Sequence, residues 1–412
     1  MIAHGIRHNR QQFGLQLLMV FLVGLTIGMT RTVLPGLAES EFGLGNDQFF
    51  LLTTFVVVFG LIKATMNLFA GKLSDRYGRK QVLLWGWLVA LPIPLLLFAA
   101  QNWWWVVSAT VLLGFNQGLA WSMALNSKLD LAHGHQKGLV NGLNEFSGYA
   151  AVGLAGLLTA YFAELWGARD ALAILSIIVI GSGLLLTVFG VKDTMPWARL
   201  HHQTSSTNTI NTEQMTLAQL FRFASLQHPQ LIALNQAGLV EKFTDAIVWI
   251  FLPVFFISKS LSLIEASGII AIYGVIWGAS QLITGPLSDK IGRKALIVWG
   301  MWLCGLGVLA LPLTSSVWLW SLESAMIGIG MAMLYPNLGA AVADISPAQQ
   351  RASLLGIYRF WRDLGYAIGA LLMGILAQWS QDLLTPFWLV GMAMLLSGWW
   401  VQAKYQKENH QQ

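Results

Sequence analysis

The sequence has little charge and almost no cysteine. Only 10% of its 412 residues are charged, against about 25% in a typical soluble domain, and 56% are hydrophobic. The one cysteine, Cys304, excludes an intramolecular disulfide and leaves the redox compartment undetermined. The apolar runs are long and unbroken, unlike the alternating pattern of a membrane barrel. They predict an all-α polytopic membrane protein.

Several kinds of site are also missing. All eight histidines fall in termini or loops, so an imidazole metal site in the membrane is excluded. We find no phosphate-binding loop, nucleotide fingerprint or nucleophile–base constellation. We therefore expect no cofactor, no bound metal, no enzymatic activity and no energisation by ATP. The net charge is +5, but the basic residues are distributed as membrane topology requires, so no nucleic-acid partner is expected.

Hydropathy predicts twelve membrane-spanning helices. The first six lie at about 14–35, 48–70, 81–100, 103–127, 138–163 and 171–190, and the second six at about 230–257, 263–284, 295–313, 317–341, 352–377 and 383–401. This divides the chain into an N-terminal six-helix bundle (1–190), a cytoplasmic linker (191–229) and a C-terminal six-helix bundle (230–412). The linker contains the polar run Thr204–Thr212 and then a predicted amphipathic helix on the membrane surface, Thr216–Leu226, capped by Thr216.

Lysine and arginine predict the orientation of these spans. With a cytoplasmic N-terminus, 17 of them, Lys128 among them, lie in cytoplasmic segments, and 2, Arg169 and Lys259, lie on the other side. Both termini are therefore predicted to be cytoplasmic. The compact loops favour a bacterial inner membrane.

A charged decapeptide occurs twice. "GKLSDRYGRK" covers Gly71–Lys80 and "GPLSDKIGRK" covers Gly285–Lys294, with seven of ten positions identical at an offset of 214. At the same offset Asp130 matches Asp344 and Gly60 matches Gly274. The chain is thus predicted to contain two six-helix halves in the same orientation, related by pseudo-symmetry. A binding site is expected between them near the middle of the membrane.

Each decapeptide lies between the second and third span of its half. The glycines permit a tight turn, and the acid beside an arginine can cap a helix or pair with a neighbouring helix. We expect a cytoplasmic latch that holds the two halves together and breaks when they rock apart; the alternative is a simple positive-inside anchor. Its residues would be Gly71, Asp75, Arg76, Gly78, Arg79 and Lys80, with Gly285, Asp289, Gly292, Arg293 and Lys294.

The decapeptides resemble the signature loop of the major facilitator superfamily, G-x-L-[SA]-D-[RK]-x-G-R-[RK], in both copies. The resemblance implies alternating access by rocking halves, a cavity lined by spans 1, 2, 4, 5, 7, 8, 10 and 11, and spans 3, 6, 9 and 12 on the outside. The chain departs from two patterns of proton-driven exporters. "GFNQG" has Gly114 where these exporters have arginine, and "GYAAVGLAG", Gly148–Gly156, has no proline. Close helix packing is the simpler role for those glycines.

Ten charges fall within the predicted spans, five of each sign, which predicts a nearly neutral cavity: Arg31, Lys63, Glu145, Glu241, Lys242, Asp245, Glu323, Arg359, Arg362 and Asp363. Each charge at mid-membrane costs roughly 2.5–3.5 kcal/mol on insertion scales, so each needs a partner or a function. We predict ion pairs of Arg31 with Asp245 or Glu241, and of Glu145 with Arg359 or Arg362. The alternative is structural pairing, or snorkelling for Lys63.

The predicted substrate and coupling residues are Arg31, Asn141, Asn144, Glu145, Glu241, Asp245, Tyr358, Arg359, Arg362 and Asp363. Aromatic residues interleave with these charges and are expected to line the pocket: Trp249, Tyr358, Phe360, Trp361 and Tyr366. The predicted function is secondary transport of a small solute by a monomer, coupled to protons and directed outward. Uptake or facilitated diffusion, of a metal ion or its complex among other solutes, and a non-transporting receptor or assembly factor remain alternatives.

Overall fold

The computed structural model describes residues 5–44, 48–133, 136–198, 215–346 and 350–405, without the side chains of Lys137, Gly138, Asp289, Arg351 and Ala352. These residues form helices and no strand. The first half contains α1 (Arg10–Phe42), α2 (Phe49–Tyr77), α3 (Arg79–Phe98), α4 (103–131), α5 (Lys137–Trp166) and α6 (Ala168–Phe189). The second contains α7 (Pro229–Ser258), α8 (Leu263–Ile291), α9 (Arg293–Ala310), α10 (Val317–Asp344), α11 (Arg351–Ser380) and α12 (Thr385–Lys404).

Nine of the described helices are long and apolar enough to cross a membrane by length and composition: α1, α2, α3, α5, α6, α8, α9, α10 and α11. The other three coincide with predicted spans but have unusual features. A π-helical turn, Gln117–Trp121, interrupts α4, and such turns are frequent at functional sites. Three charged residues, Glu241, Lys242 and Asp245, follow one another closely in α7. The shortest of the three, α12, spans 20 residues.

The decapeptides form single-residue turns. Helices α2 and α8 continue through Gly71 and Gly285 to Tyr77 and Ile291, and the next helix begins after one glycine, Gly78 or Gly292. These two glycines have φ +92° and +90°, a region that side chains other than hydrogen disfavour. The expectation that Gly71 and Gly285 also belong to the turn is wrong, because hydrogen bonding within the helix continues past both.

The two halves pack against each other along two pairs of helices. α2 lies along α11 and α5 lies along α8, while α1 with α5 and α7 with α11 make equivalent contacts inside each half. The halves approach closely where glycine faces the partner helix: a Cβ on Gly60 would lie 2.6 Å from the Cβ of Tyr366, and one on Gly274 would lie 3.1 Å from the Cα of Gly153. Contact between helix backbones therefore sets the spacing of the halves.

The predicted linker helix is present as Leu217–Arg222 followed by a π-helical turn. Thr216 caps it in a box with Gln219, as the sequence indicates. The helix packs on the second half: Phe221 contacts Trp361 of α11, and the indole of Trp361 donates a hydrogen bond to the hydroxyl of Ser225 at 2.8 Å. Its place on a membrane surface stays a prediction. The polar run Thr204–Thr212 lies outside the described residues.

Candidate functional site

An ion pair joins the two halves at the centre of the protein. Nη2 of Arg31, on α1, lies 2.6 Å from Oδ1 of Asp245, on α7, and both side chains are buried. The hydroxyl of Tyr273, on α8, donates to the same oxygen at 3.1 Å, and the hydroxyl of Tyr366, on α11, donates to Oδ2. One carboxylate therefore connects four helices from both halves, and one of the predicted partners of Arg31 is present.

A second buried cation lies beside this pair. The ammonium of Lys242 is 3.3 Å from a carboxylate oxygen of Glu241 and 3.7 Å from Oδ2 of Asp245. Four aromatic rings surround it, with centroids 4.8–5.8 Å away: Tyr149, Trp277, Tyr335 and Tyr366. Ring faces attract a desolvated ammonium. Lys242 is thus held by acids and aromatic faces with no access to water.

Aromatic side chains seal the space between the halves on the side away from the decapeptides. Phe59 of α2 meets Trp249 of α7 with ring centroids 4.8 Å apart, Phe55 meets Trp249 at 5.6 Å, and Phe49 meets Phe251 at 6.2 Å. All of these rings are buried. We call Phe49, Phe55, Phe59, Trp249 and Phe251 the aromatic plug. No continuous path therefore crosses the described part of the protein here.

On the other side of the ion pair lies a cavity of about 240 Å³ between the halves. Polar or charged lining comes from Lys63, Asn67, Ser122, Asn141, Glu145, Arg359 and Arg362, and aromatic lining from Trp121, Tyr335 and Tyr358. Exposure increases from buried Glu145 to exposed Asn141 one helical turn nearer the decapeptide end. The cavity therefore opens toward the decapeptides.

The eight spans expected to line the centre all contribute. α2, α4, α5, α10 and α11 line the cavity, and α1, α7 and α8 supply Arg31, Asp245 and Tyr273. Of the aromatic residues expected to line the cavity, Tyr358 does so. Trp249 packs in the aromatic plug and Tyr366 bonds Asp245 instead, and Phe360 and Trp361 contact the linker helix through Phe221. Successive residues on a helix are about 100° apart, so Phe360 and Trp361 face away while Tyr358 and Arg362 face the cavity.

Glu145 and Arg362 have partners other than those predicted. The amide of Asn144 donates to Oε1 of Glu145 at 2.7 Å. The guanidinium of Arg362 donates to both oxygens of Asp363, at 2.9 and 3.1 Å. Asn67 on α2 also donates to Asp363, which links the halves a second time. Among the described residues, neither Arg359 nor Arg362 forms an ion pair with Glu145 in this conformation.

The cavity has one more positive than negative charge, whereas near neutrality was expected. Lys63, Arg359 and Arg362 line it together with one carboxylate, Glu145, and Asp363 neutralises Arg362. Of the other acids, Glu241 and Asp245 contact Lys242, and Glu323 accepts a hydrogen bond from Thr314 near the opposite end of α10. Counting charges along the spans missed this because it ignored the direction in which each side chain points.

Sequence reasoning also missed a buried lysine. Lys128 was expected in a cytoplasmic loop, but it lies in the last turn of α4, fully buried, and donates to the carbonyl oxygen of Gln16 at 2.8 Å. Asn67, Trp121, Tyr273 and Tyr335 were not singled out either. The π-helical turn brings Trp121 into the cavity, and nothing in the local pattern of α4 marks such a turn.

The described contacts of the decapeptides lie inside their own halves or, for the backbone N–H of Arg79, on Asp193 at the start of the linker. Arg79 bonds Ser74 and lies 3.2 Å from Asp130, and Arg293 bonds Ser288 and lies 3.1 Å from Asp344. The same network in both halves confirms the repeat at these positions. The side chain of Asp289 lies outside the description, and a latch across the halves stays a prediction. Arg76 stacks on Tyr77, and Lys80 donates to the carbonyl of Val188.

No group of three or more His, Cys, Asp or Glu side chains that could hold a metal ion occurs among the described residues. The chemistry of the site is instead that of charges, amides and aromatic faces between two helix bundles. Such a site can bind a small molecule.

Comparison with known proteins identifies the family. The model of the Major Facilitator Superfamily matches residues 17–233 and 237–412. An uncharacterized transporter of this type from Salmonella typhimurium is 22% identical over 384 residues, which cover 89% of this chain and 88% of that protein. Another from Methanocaldococcus jannaschii is 30% identical over 131 residues, 30% of this chain and 34% of that protein.

The quinolone resistance protein NorA of Staphylococcus aureus is 27% identical over 122 residues, 29% of this chain and 31% of that protein. The chain thus matches about a third of the length of this relative and of the Methanocaldococcus one. The match to the family model covers both halves. The chain is an integral membrane protein and belongs to the Major Facilitator Superfamily of small-molecule transporters.

Proposed function

We propose that the protein is a proton-coupled secondary transporter that exports a small solute by alternating access. It would act as a monomer in a bacterial inner membrane, with both termini in the cytoplasm and without catalysing a reaction. The observation that carries the proposal is the cavity between the halves, which opens at the decapeptide end, together with the buried Arg31–Asp245 pair that joins the halves.

Pivoting of the halves would close the cavity at the decapeptide end and open it at the end now closed by the aromatic plug. In the alternate state the contacts of α2 with α11 and the aromatic plug separate, and Arg31 and Asp245 move apart. Breaking a buried ion pair by removing one partner costs about 3–5 kcal/mol. The transition is therefore slow unless a proton or the solute replaces the lost partner, and this requirement couples the motion to binding.

Glu145 is our candidate for the proton site. It lines the cavity, is buried, and its Oε1 accepts a hydrogen bond from the amide of Asn144. The charged or titratable groups around it are Lys128 of α4, Tyr149 of α5, Tyr335 of α10, and Arg359 and Arg362 of α11. A shift of α11 relative to α5 changes the distance from Glu145 to these two arginines, and with it the affinity of Glu145 for a proton.

Two considerations support export. The open end of the cavity is the decapeptide end, which the distribution of lysine and arginine assigns to the cytoplasm. One relative is named a quinolone resistance protein, a name that fits removal of a compound from the cell.

Purified protein in liposomes, with a pH gradient imposed in either direction, is the direct test. A panel of labelled organic solutes is added, and movement is compared for the wild type and for Asp245→Asn. Asp170→Asn, at an exposed position, is the matched control. We expect gradient-driven movement of at least one solute that Asp245→Asn abolishes. Binding without movement of any solute, in either gradient, would support a receptor in place of a transporter.

A further inference from the structure

We infer that the solute of this cavity is a small organic anion, with its carboxylate or phosphate-type group on Lys63 and Arg359 and its apolar body on Trp121, Tyr335 and Tyr358. The inference rests on the proposed transport function and specifies its substrate class. It follows from the charge balance of the cavity, from the partners of each cation and from the remaining lining.

Lys63 is a buried cation that lacks an acidic partner among the described residues. Only 7% of the residue is exposed. Its ammonium faces three rings, Phe59 at 5.6 Å, Trp121 at 5.8 Å and Tyr366 at 5.2 Å. Ring faces compensate a desolvated ammonium but do not neutralise its charge. An anion in the cavity would supply the missing counter-charge.

Arg359 is the second such cation. It lines the same cavity, is half-buried, and has no ion pair within the described part of the chain. A guanidinium carries five donors in a flat fork that matches a carboxylate or phosphate with two parallel hydrogen bonds. Because Arg359 lines the cavity, its donors are available to a carboxylate or phosphate-type group bound there.

The third cation is already neutralised. Both oxygens of Asp363 accept from Arg362, and Asn67 holds the same carboxylate from the other half. Ser122 in turn donates to Asn67 at 3.0 Å. Arg362 therefore stacks on Tyr335, 4.7 Å from the ring centroid, and completes the wall instead of competing for the solute.

The remaining charge in the cavity is Glu145. Even with Glu145 ionised, Lys63 and Arg359 leave one excess positive charge, and with Glu145 protonated they leave two. A cationic solute would face this excess and a single acid that Asn144 already occupies. Burying further positive charge in a medium of low dielectric is expensive, so the site discriminates against cations.

The volume of the cavity and its aromatic wall further restrict the class of solute that can bind. About 240 Å³ is below the roughly 300–1,000 Å³ of pockets for drug-sized ligands. Three aromatic side chains form the apolar part of the wall. The chemistry therefore fits an acid with one small ring or a short chain, and not a large amphipathic cation.

Binding to the full chain in detergent tests the inference with four probes of similar size: benzoate, phenylphosphonate, benzamide and benzylammonium. Ligand binding to the folded state raises the unfolding temperature, and at one ligand concentration the rise is larger for a ligand that binds more tightly. We expect benzoate, phenylphosphonate or both to stabilise the wild type, and benzamide and benzylammonium to have no effect. The comparison of the first two probes distinguishes a carboxylate site from a phosphate-type site.

Variants assign the anion to the two cations. Arg359→Gln and Lys63→Gln are each expected to weaken anion binding about 10- to 100-fold, since charge-assisted hydrogen bonds are lost. Lys259→Gln removes one exposed positive charge outside the cavity and is expected to bind as the wild type does. Arg359→Lys keeps the charge and should retain part of the affinity, which separates anion binding from a folding defect.

Equal or tighter binding of benzamide or benzylammonium, unchanged benzoate affinity in Arg359→Gln, or no stabilisation by either anion would each overturn the inference. Liposome transport separates this from the proposed function. If Asp245-dependent transport favours a neutral or cationic solute, alternating access stands and the anion assignment fails. If anions bind but nothing moves, the anion assignment stands and the transport proposal fails.

Discussion

Arg31 on the first helix and Asp245 on the seventh meet across the two halves at 2.6 Å, with no exposed surface on the carboxylate. The carboxylate also accepts hydrogen bonds from Tyr273 and Tyr366. This makes Asp245 the point at which four helices from both halves are joined, between the open cavity and the aromatic plug. We therefore predict that opening of the plugged end separates this pair.

Asp245→Asn is expected to lower the free energy of unfolding by about 3–5 kcal/mol, because it leaves the Arg31 guanidinium buried without its counter-charge. Transport should be lost. Thermal and denaturant unfolding in detergent, and solute flux in liposomes, measure the two effects. The charge-exchanged double variant Arg31→Asp/Asp245→Arg should recover part of the stability. A single variant as stable and active as the wild type would exclude the pair from the transport cycle.

Glu145→Gln is expected to uncouple transport from the pH gradient. The variant has a permanently neutral side chain at the same place, so solute exchange should continue. Gradient-driven accumulation should fall at least about tenfold, which corresponds to a loss of roughly 1.4 kcal/mol in the free energy that the proton gradient contributes to transport. Counterflow and accumulation are measured on the same liposomes. Glu39→Gln, at an exposed position, is the control. Accumulation unchanged in Glu145→Gln would assign the proton to another group.

Among the acids that contact Arg79 of the first decapeptide, Asp130→Asn should lower the stability of the protein more than Asp75→Asn does. Both acids contact Arg79, but the Asp130 side chain is 11% exposed at 3.2 Å and the Asp75 side chain is 70% exposed at 3.4 Å. Exposed pairs contribute about 0–1 kcal/mol. We expect a clear loss of stability in Asp130→Asn, a smaller loss in Asp344→Asn, whose side chain is 31% exposed, and little change in Asp75→Asn. Equal effects of the two neighbours of Arg79 would contradict the assignment.

Gly60→Ala should move the population away from the described conformation. The added Cβ would lie 2.6 Å from both the backbone nitrogen of Ala367 and the Cβ of Tyr366, and such overpacking costs about 1–3 kcal/mol. Access to the cavity from the decapeptide end should decrease. A thiol reagent that cannot cross membranes, applied to Leu355→Cys in a Cys304→Ala background, reports this access as a labelling rate.

Gly71→Ala is the matched control for this experiment, since nothing lies within 4 Å of the position of its Cβ. Labelling of Leu355→Cys should be as fast with Gly71→Ala as without it. If Gly60→Ala also left the rate unchanged, contact between α2 and α11 would not be what holds the cavity open at this end.

Much of the architecture follows from local pattern. Long apolar runs predict the helices, because each span satisfies its own backbone hydrogen bonds and can be recognised without its neighbours. The repeated decapeptide predicts two equivalent halves, and the networks of Arg79 and Arg293 agree. Even so, the helices pass beyond the predicted ends, as α2 does by continuing to Tyr77, since helical bonding does not stop where hydropathy falls.

The candidate site was only partly predictable. The pair of Arg31 and Asp245 was among the expected ones, whereas Glu145 was expected to meet an arginine and instead bonds its neighbour Asn144. Phe360 and Trp361 were assigned to the wrong face of α11, and Lys128 to a loop. Lys128 was misplaced because α4 continues past its predicted end at residue 127. For Phe360 and Trp361 the outcome depended on the rotation of α11 about its axis, and a turn of 100° per residue makes a small error in register decisive.

The amino-acid sequence by itself determined the membrane-spanning helices, the division into two homologous halves and the types of charge that enter the membrane. Tertiary structure alone decided which charges neutralise one another and which are left facing the cavity. Partners such as Asn67 and Asp363 are 296 residues apart, and their contact depends on the tilt, rotation and spacing of whole helices. Hydropathy carries no information on those quantities, because it records how apolar a segment is and not what it packs against.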